Sequence, residues 1–315
     1  MPTVCSRRSL LTRAGLSLAA PVLAPIATPA RAGTEPPLRV RYPHIDERPA
    51  EAYGYQVLRL ALDRSGEPHR LAVAEQRGSS RMAMQAIQRG TLDIVDAGLS
   101  RWMSDPFDYL PFPIDQGLAG CRLLLCRADT VARLDAMRGL ADMASLVIGQ
   151  GVGWPDVHIL RSAGLQVVEG GFPSLWRMLH NGRFDVLPLG AEEAHELLRK
   201  HQAEAPDVLV HPNVGLFYPF PRVFFFTRGN ERLKAALQRG LEAAQADGSL
   251  RELQLRSPGL GPLLSGQRRV PGHLVPLPNP GWPAAQPYLP LDRYHPALRA
   301  AMLQLMDAPA AGRPR

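Results

Sequence analysis

The chain of 315 residues suffices for two modest domains or one large one, and 45% hydrophobic with 21% charged residues is the balance of a globular protein. The formal net charge is +7, but Arg7, Arg8, Arg13 and Arg31 supply four of those charges within residues 1–32, where no acid occurs. Subtracting them leaves +3, and Lys200 and Lys234 are the only lysines, so no basic nucleic-acid face is expected.

Residues 1–32 read as an export signal rather than as part of the fold. Ser6-Arg7-Arg8-Ser9-Leu10-Leu11 matches the twin-arginine pattern, with a Sec signal as the alternative. Ala14 to Ala27 is a weak apolar core, and Ala30-Arg31-Ala32 is a small-x-small cleavage site. Cys5 precedes that core, which excludes a lipoprotein cysteine. No later segment reaches about 18 unbroken apolar residues. A soluble, periplasmic mature chain is expected.

In the mature chain Leu38 to Tyr42 alternates like a strand, and Tyr53 to Leu62 carries a helical apolar face. Leu71 to Val73 is a short strand, Arg81 to Gln88 a helix stopped by Gly90, and Leu92 to Val95 a third strand. This βαβαβ order implies parallel crossovers. Apolar runs follow at Tyr109 to Ile114 and Leu118 to Cys126. In the second run Cys121 and Cys126 face opposite sides of a strand, roughly 16 Å apart at about 3.3 Å per residue. That is too far for a disulfide, so buried thiols are expected.

The pattern then restarts. Leu146 to Ile148 is a strand, and Trp154-Pro155-Asp156 opens a helix with Pro155 at its first position. Leu165 to Val168 is a strand, Leu175 to Leu179 a helix, and Phe184 to Leu187 a strand. Ala191 to Lys200 is a helix and Val208 to Val210 a strand. Phe217 to Phe226 is dense enough in apolar residues to be a strand buried on both faces. Asn230 caps a helix over Glu231 to Ala246, and Leu250 to Leu255 resumes after Asp247-Gly248. From Gln267 the chain is proline-rich and aperiodic. It reads as an extended tail on the first lobe, frayed from Pro309.

Three stretches carry a family likeness: AIQRGTLDIVDAG at 86–98, LHNGRFDVLPLG at 179–190, and VFFFTRGNERLKAALQRGLEAAQADGSLREL at 223–253. In this order they resemble the periplasmic solute-binding proteins of ABC transporters, of the type that carries polar amino acids (family 3). The likeness runs from Leu38 to Arg256. A less characterised branch also has a loop like GQGVGWPD at 149–156 and a tail like NPGWPAAQPYLPL at 279–291. The resemblance implies a mixed α/β fold of periplasmic-binding-protein type II. Two lobes, each a mixed sheet flanked by helices, would be joined by two crossing strands and close on a ligand by hinge motion. Lobe 1 is expected at 33–118 plus 226–265, lobe 2 at 119–225, and the tail at 266–315.

Tyr42 and His44 follow the first strand. Asp96, Gly98, Ser100, Arg101 and Trp102 follow the third, where a parallel sheet opens onto a ligand crevice. The family's binders place an arginine about five residues after their Gly-x-Thr. Here Arg101 comes directly after Ser100 and Asp105 holds the later position, so either Arg101 grips the anionic group from a different angle or the ligand is not an α-amino acid. Gln150, Gly151 and Trp154 form a loop at a helix N-terminus, with Asp156 satisfying the helix dipole. Gly190 and Glu193 follow the Phe184 to Leu187 strand, where a carboxylate suits a ligand ammonium. Asp93 reads as structural, His195 and His201 lack a helical metal spacing, and no nucleophile elbow appears.

These residues lead to a monomeric, non-enzymatic protein with no cofactor and no nucleic-acid partner. It would capture a small polar, amino-acid-like solute for an ABC-transporter permease. The alternatives are a lyase on the same scaffold, with Asp96 or Glu193 as base, and an orphan sensor whose cleft its own side chains fill.

Overall fold

A computed structural model describes residues 36–307 apart from 46, 284 and 285. The expected export signal at 1–32 and the frayed end from Pro309 lie outside the described residues. No helix among the described residues is long and apolar enough to cross a membrane.

The first lobe begins with β1 (Leu38–His44), α1 (Tyr53–Arg64), β2 (His69–Arg77), α2 (Ser80–Gln88), β3 (Ile94–Gly98), the single turn α3 (Arg101–Ser104) and β4 (Asp108–Leu110). The second comprises β5 (Cys121–Arg127), α4 (Val131–Asp135), α5 (Leu140–Met143), β6 (Val147–Gly151), α6 (Pro155–Ser162), β7 (Gln166–Gly170), α7 (Phe172–His180), β8 (Val186–Gly190), α8 (Ala194–Lys200) and β9 (Val208–Phe217). The chain returns through β10 (Arg222–Phe226), α9 (Glu231–Ala246), α10 (Ser249–Arg256) and α11 (Gly261–Leu264), and ends with β11 (His273–Pro276) and α12 (Arg299–Asp307).

β1 pairs in parallel with β2, and β10 lies between β3 and β4, antiparallel to both. The second lobe holds a six-stranded mixed sheet in the order β11-β9-β5-β8-β6-β7. The two Gly-x-x-Asp motifs play the same structural part in both lobes. Asp93 accepts the Arg41 amide at 2.7 Å and its Nε at 2.8 Å, and Asp185 accepts the Val147 amide at 2.8 Å and Arg133 Nη1 at 2.9 Å. Each carboxylate thus satisfies a backbone N–H of a neighbouring strand, in mid-strand at Arg41 and at the first residue at Val147.

Asn230 Oδ1 accepts the Leu233 amide at 3.2 Å, which caps α9, and the stripe Leu233, Leu237, Leu241 is buried. Gly240 lets α9 approach α1 closely, since a Cβ there would lie 1.7 Å from the Ala61 carbonyl oxygen. Cys121 and Cys126 are buried free thiols in different apolar clusters. Burial pushes them up to about 12 and about 11, so neither is a ready nucleophile.

Four expectations change. The run Phe217 to Phe226 is not one strand: β9 ends at Phe217 and β10 starts at Arg222. Pro219 and Pro221 remove two amide donors where the chain crosses between sheets. Tyr109 to Ile114 similarly keeps only its first residues in β4, ahead of Pro111 and Pro113. The tail is not simply extended over the first lobe. β11 adds a parallel edge to β9 of the second lobe, and α12 follows it. Finally, the wet gap expected beside Ser100 is not found there. Ser100 is 2% exposed, and Leu118, Leu123, Val223 and Phe225 belong to one apolar core.

Candidate functional site

Each strand that follows a crossing between the sheets carries an arginine at its first or second position, beside an apolar run, and each arginine meets an aspartate and a tyrosine. The antiparallel register puts Arg222 of β10 opposite Gly98 and Phe224 opposite Asp96. Arg222 Nε donates to Asp96 Oδ2, and the Tyr42 hydroxyl donates to Asp96 Oδ1. In the second lobe Arg122 Nη2 lies 2.9 Å from Asp156 Oδ1, which also accepts the Tyr218 hydroxyl. Arg122 stands over the rings of Tyr218 and Phe220, at 5.2 and 5.6 Å, and Arg222 over Tyr53 at 6.0 Å. Burial works against both guanidinium charges, and the paired aspartates more than offset it, so both stay protonated.

The two clusters differ in access. The Arg122 and Asp156 side chains are 9% and 7% exposed, whereas Arg222 is 32% exposed although its partner Asp96 is 2% exposed. Arg222 therefore reaches solvent while its Nε is tied down. The crossing beside it is held by Asp115, whose carboxylate accepts amides from Gly117 at 3.0 Å, Ala119 at 2.7 Å and Arg222 at 3.1 Å.

β8 delivers two further carboxylates. Its last residue, Gly190, donates its amide to Glu193 Oε1 at 3.2 Å, and a Cβ on Gly190 would lie 2.8 Å from Glu192 Oε2. Glu192 Oε2 is buried without a hydrogen-bond partner. Glu193 meets solvent, yet the protein around its carboxyl, and then Glu192, push it up to about 7.

A carboxyl raised in the folded state costs stability once it ionises. The cost is absent below the ordinary value of 4.5, grows as pH rises, and is complete above about 7. Glu193→Gln removes it, so the variant's Tm is expected to gain on the wild type between pH 4.5 and 7. Burial also pushes Glu192 up, and Arg122 and Asp156 face the pair, so the difference between the two proteins is the readout. A scanning-calorimetry series with parallel Tm curves would contradict the assignment.

The structure brings Tyr42 and Asp96 together, with Gly98 on the same strand under the Phe220 ring, where a Cβ would lie 2.0 Å away. Gln150 is fully buried, its Nε2 donates to the Pro188 carbonyl at 3.2 Å, and its Oε1 has no partner. Trp154 packs over Gly151 and against Phe172 at 5.8 Å, so its ring serves packing. His44 lines a separate surface cavity of about 500 Å³ with Arg77 and Met82.

Arg101, the candidate anion grip, opens α3, is 56% exposed and lies 4.0 Å from Asp105. Trp102 is 50% exposed and meets His158 of α6 edge-on at 5.3 Å. Asp156 does more than satisfy the α6 dipole, since it holds Arg122. Sequence reasoning missed Arg122, Arg222, Tyr218 and Phe220. A signal for the arginines was present: a lone charge in a run such as CRLLLC or PRVFFF has to find a buried partner. Among the described residues no group of three or more side chains is arranged to hold a metal ion.

No protein-family model matches the chain, and no curated protein sequence matches it. Solved structures do. An ancestral arginine-binding protein bound to arginine is 17% identical, covers 71% of this chain and 99% of its own, and gives a TM-score of 0.51. A structure concerned with glutathione import in Streptococcus mutans through a cystine ABC importer is 13% identical, covers 71% and 95%, and gives 0.52. A histidine kinase sensor domain similar to periplasmic binding proteins is 15% identical, covers 71% and 96%, and gives 0.51. The crossing strands, the mixed sheets and these likenesses together establish that the chain has the two-lobed type II fold of the periplasmic solute-binding proteins.

Proposed function

We propose that the chain is an exported, periplasmic solute-binding protein that takes a small zwitterionic solute of amino-acid size and presents it, as a monomer, to an ABC-transporter permease. What supports this reading is an exposed charge of each sign, one carried by each lobe. Arg222 reaches solvent from the first lobe with its Nε already fixed, which leaves its outer nitrogens for an anionic group. Glu193 reaches solvent from the second lobe and suits an ammonium. Tyr53 and Phe220 supply apolar faces. The fold shared with an arginine-binding protein supports the same reading.

A thermal-shift screen against amino acids and other small polar solutes tests it. A true ligand at roughly 100 times its Kd is expected to add about 2.7 kcal/mol of stability by mass action. Glu193→Gln is expected to weaken an ammonium-bearing ligand by about 10-fold or more, since a charge-assisted hydrogen bond is lost. If no solute in the screen moves Tm, the reading fails. If the variant keeps the full shift, Glu193 is not part of the site.

A second reading has one observation of its own. Glu193, with a carboxyl near 7 beside Arg122, is placed as a base for lyase chemistry. Asp96 is not, because Arg222 and Tyr42 occupy both its oxygens. Incubating the protein with any solute found in the screen separates the readings: a binding protein returns the solute unchanged.

A further inference from the structure

Two connectors, at 111–120 and 218–221, carry the chain between the lobes, and a third connection runs alongside them. The tail pairs β11 with β9 in the second lobe, and the Leu277 amide donates to the Phe217 carbonyl at 2.7 Å. Asn279, 2% exposed, donates from Nδ2 to the Pro219 carbonyl at 2.8 Å, inside a connector, and accepts the Gly281 amide on Oδ1 at 2.8 Å. The Gly281 carbonyl accepts the Arg101 amide at 2.5 Å, which ties the tail to the first lobe. Further along, the Tyr109 hydroxyl of β4 donates to Gln286 Oε1 at 3.1 Å.

The tail then returns to the other connector. Gln116 has φ +54 and is the non-glycine with positive φ among the described residues; Gly117 follows at φ +75. Such a backbone persists only when its surroundings hold it. The tail supplies that hold. The His295 amide donates to the Gln116 carbonyl at 2.9 Å, and the Tyr294 ring covers Gly117, where a Cβ would lie 2.4 Å away. Trp282, Leu289, Tyr294, Leu298 and Met302 are all at most 5% exposed. They share one apolar core with Phe225 of the first lobe and Leu123 and Leu187 of the second. Separating the lobes about the connectors would pull these side chains out of that core.

We propose that the segment from His273 to Asp307 is a strap that fixes the two lobes in one relative orientation, so that the protein does not open and close about its connectors. Applied to the binding role argued above, on which that corollary alone rests, a solute enters by side-chain movement in a crevice of preset width. The ligand-driven hinge closure that the fold allows is replaced by a static receptor.

The test places spin labels on the mature full chain, through Arg59→Cys on α1 and Arg177→Cys on α7, both exposed. Pulsed EPR is expected to give one narrow distance, identical with and without a mixture of the protein amino acids. Adding Asn279→Ala and Trp282→Ala is expected to broaden that distance or add a longer one. Two populations or a broad distribution in the unmodified strap would overturn the proposal, as would a strap variant that folds and keeps the narrow distance. Should the variant fail to fold, hydrogen exchange of the unmodified chain decides. The amides of Leu277, Gly281 and His295 are expected to open only with those of β5 and β10, and earlier collective opening of the tail refutes the strap. A missing thermal shift in the solute screen would sink the binding role and leave the distance result standing.

Discussion

Arg122→Met is expected to lower the free energy of unfolding by about 3–5 kcal/mol. Methionine fills the apolar part of the arginine's space, so the loss reports charge rather than volume. Asp156 would be left 7% exposed with the Tyr218 hydroxyl as its remaining hydrogen-bond partner at Oδ1, deep in the protein. A buried carboxylate without a cation either pays for its desolvation or takes a proton. Asp156→Asn added to Arg122→Met is accordingly expected to recover a large part of the loss, because the pair couples through direct contact. Urea titrations followed by both tryptophan fluorescence and far-UV circular dichroism measure this, and coincident curves license the comparison. Arg48→Met, whose side chain is 78% exposed, serves as control and is expected within about 0.5 kcal/mol of wild type. A loss below about 1 kcal/mol for Arg122→Met would show that solvent reaches Asp156 freely.

Trp176→Ala is expected to cost about 3–5 kcal/mol, by lost burial and the cavity left behind. Trp176 is fully buried on α7, stacked on His201 at 4.5 Å and 10°, with Phe172 edge-on at 6.0 Å. Its indole nitrogen is buried without a hydrogen-bond partner. Trp176→Phe is therefore expected to cost much less than Trp176→Ala, because it keeps most of the ring and removes an unsatisfied donor. Equal losses for the two variants in the same urea titration would mean that the indole nitrogen has a partner, such as an ordered water.

The order of elements was legible along the chain because it depends on local pattern. α9 begins and ends where Asn230 and Asp247-Gly248 mark it, and β1, α1 and α7 follow apolar periodicities of 2 and 3.6 that a sequence displays directly. The two Gly-x-x-Asp motifs announced the repeat of one architecture in two lobes. Part of the site was legible for the same reason. Asp96 and Gly98 close a strand, and Gly190 and Glu193 follow one, so their place at a sheet edge is a matter of counting.

Only the tertiary structure decided which charges meet. Arg122 and Asp156 are 34 positions apart and Arg222 and Asp96 are 126 apart. No spacing rule links such residues, since a strand register sets their encounter. Whether a side chain reaches solvent is decided in the same way: Arg101 opens α3 and stands exposed, and the tail's prolines hide a strand, a helix and the buried rings of Trp282 and Tyr294 behind an aperiodic sequence. Local pattern is written in neighbours along the chain, whereas burial and charge pairing are written in neighbours in space.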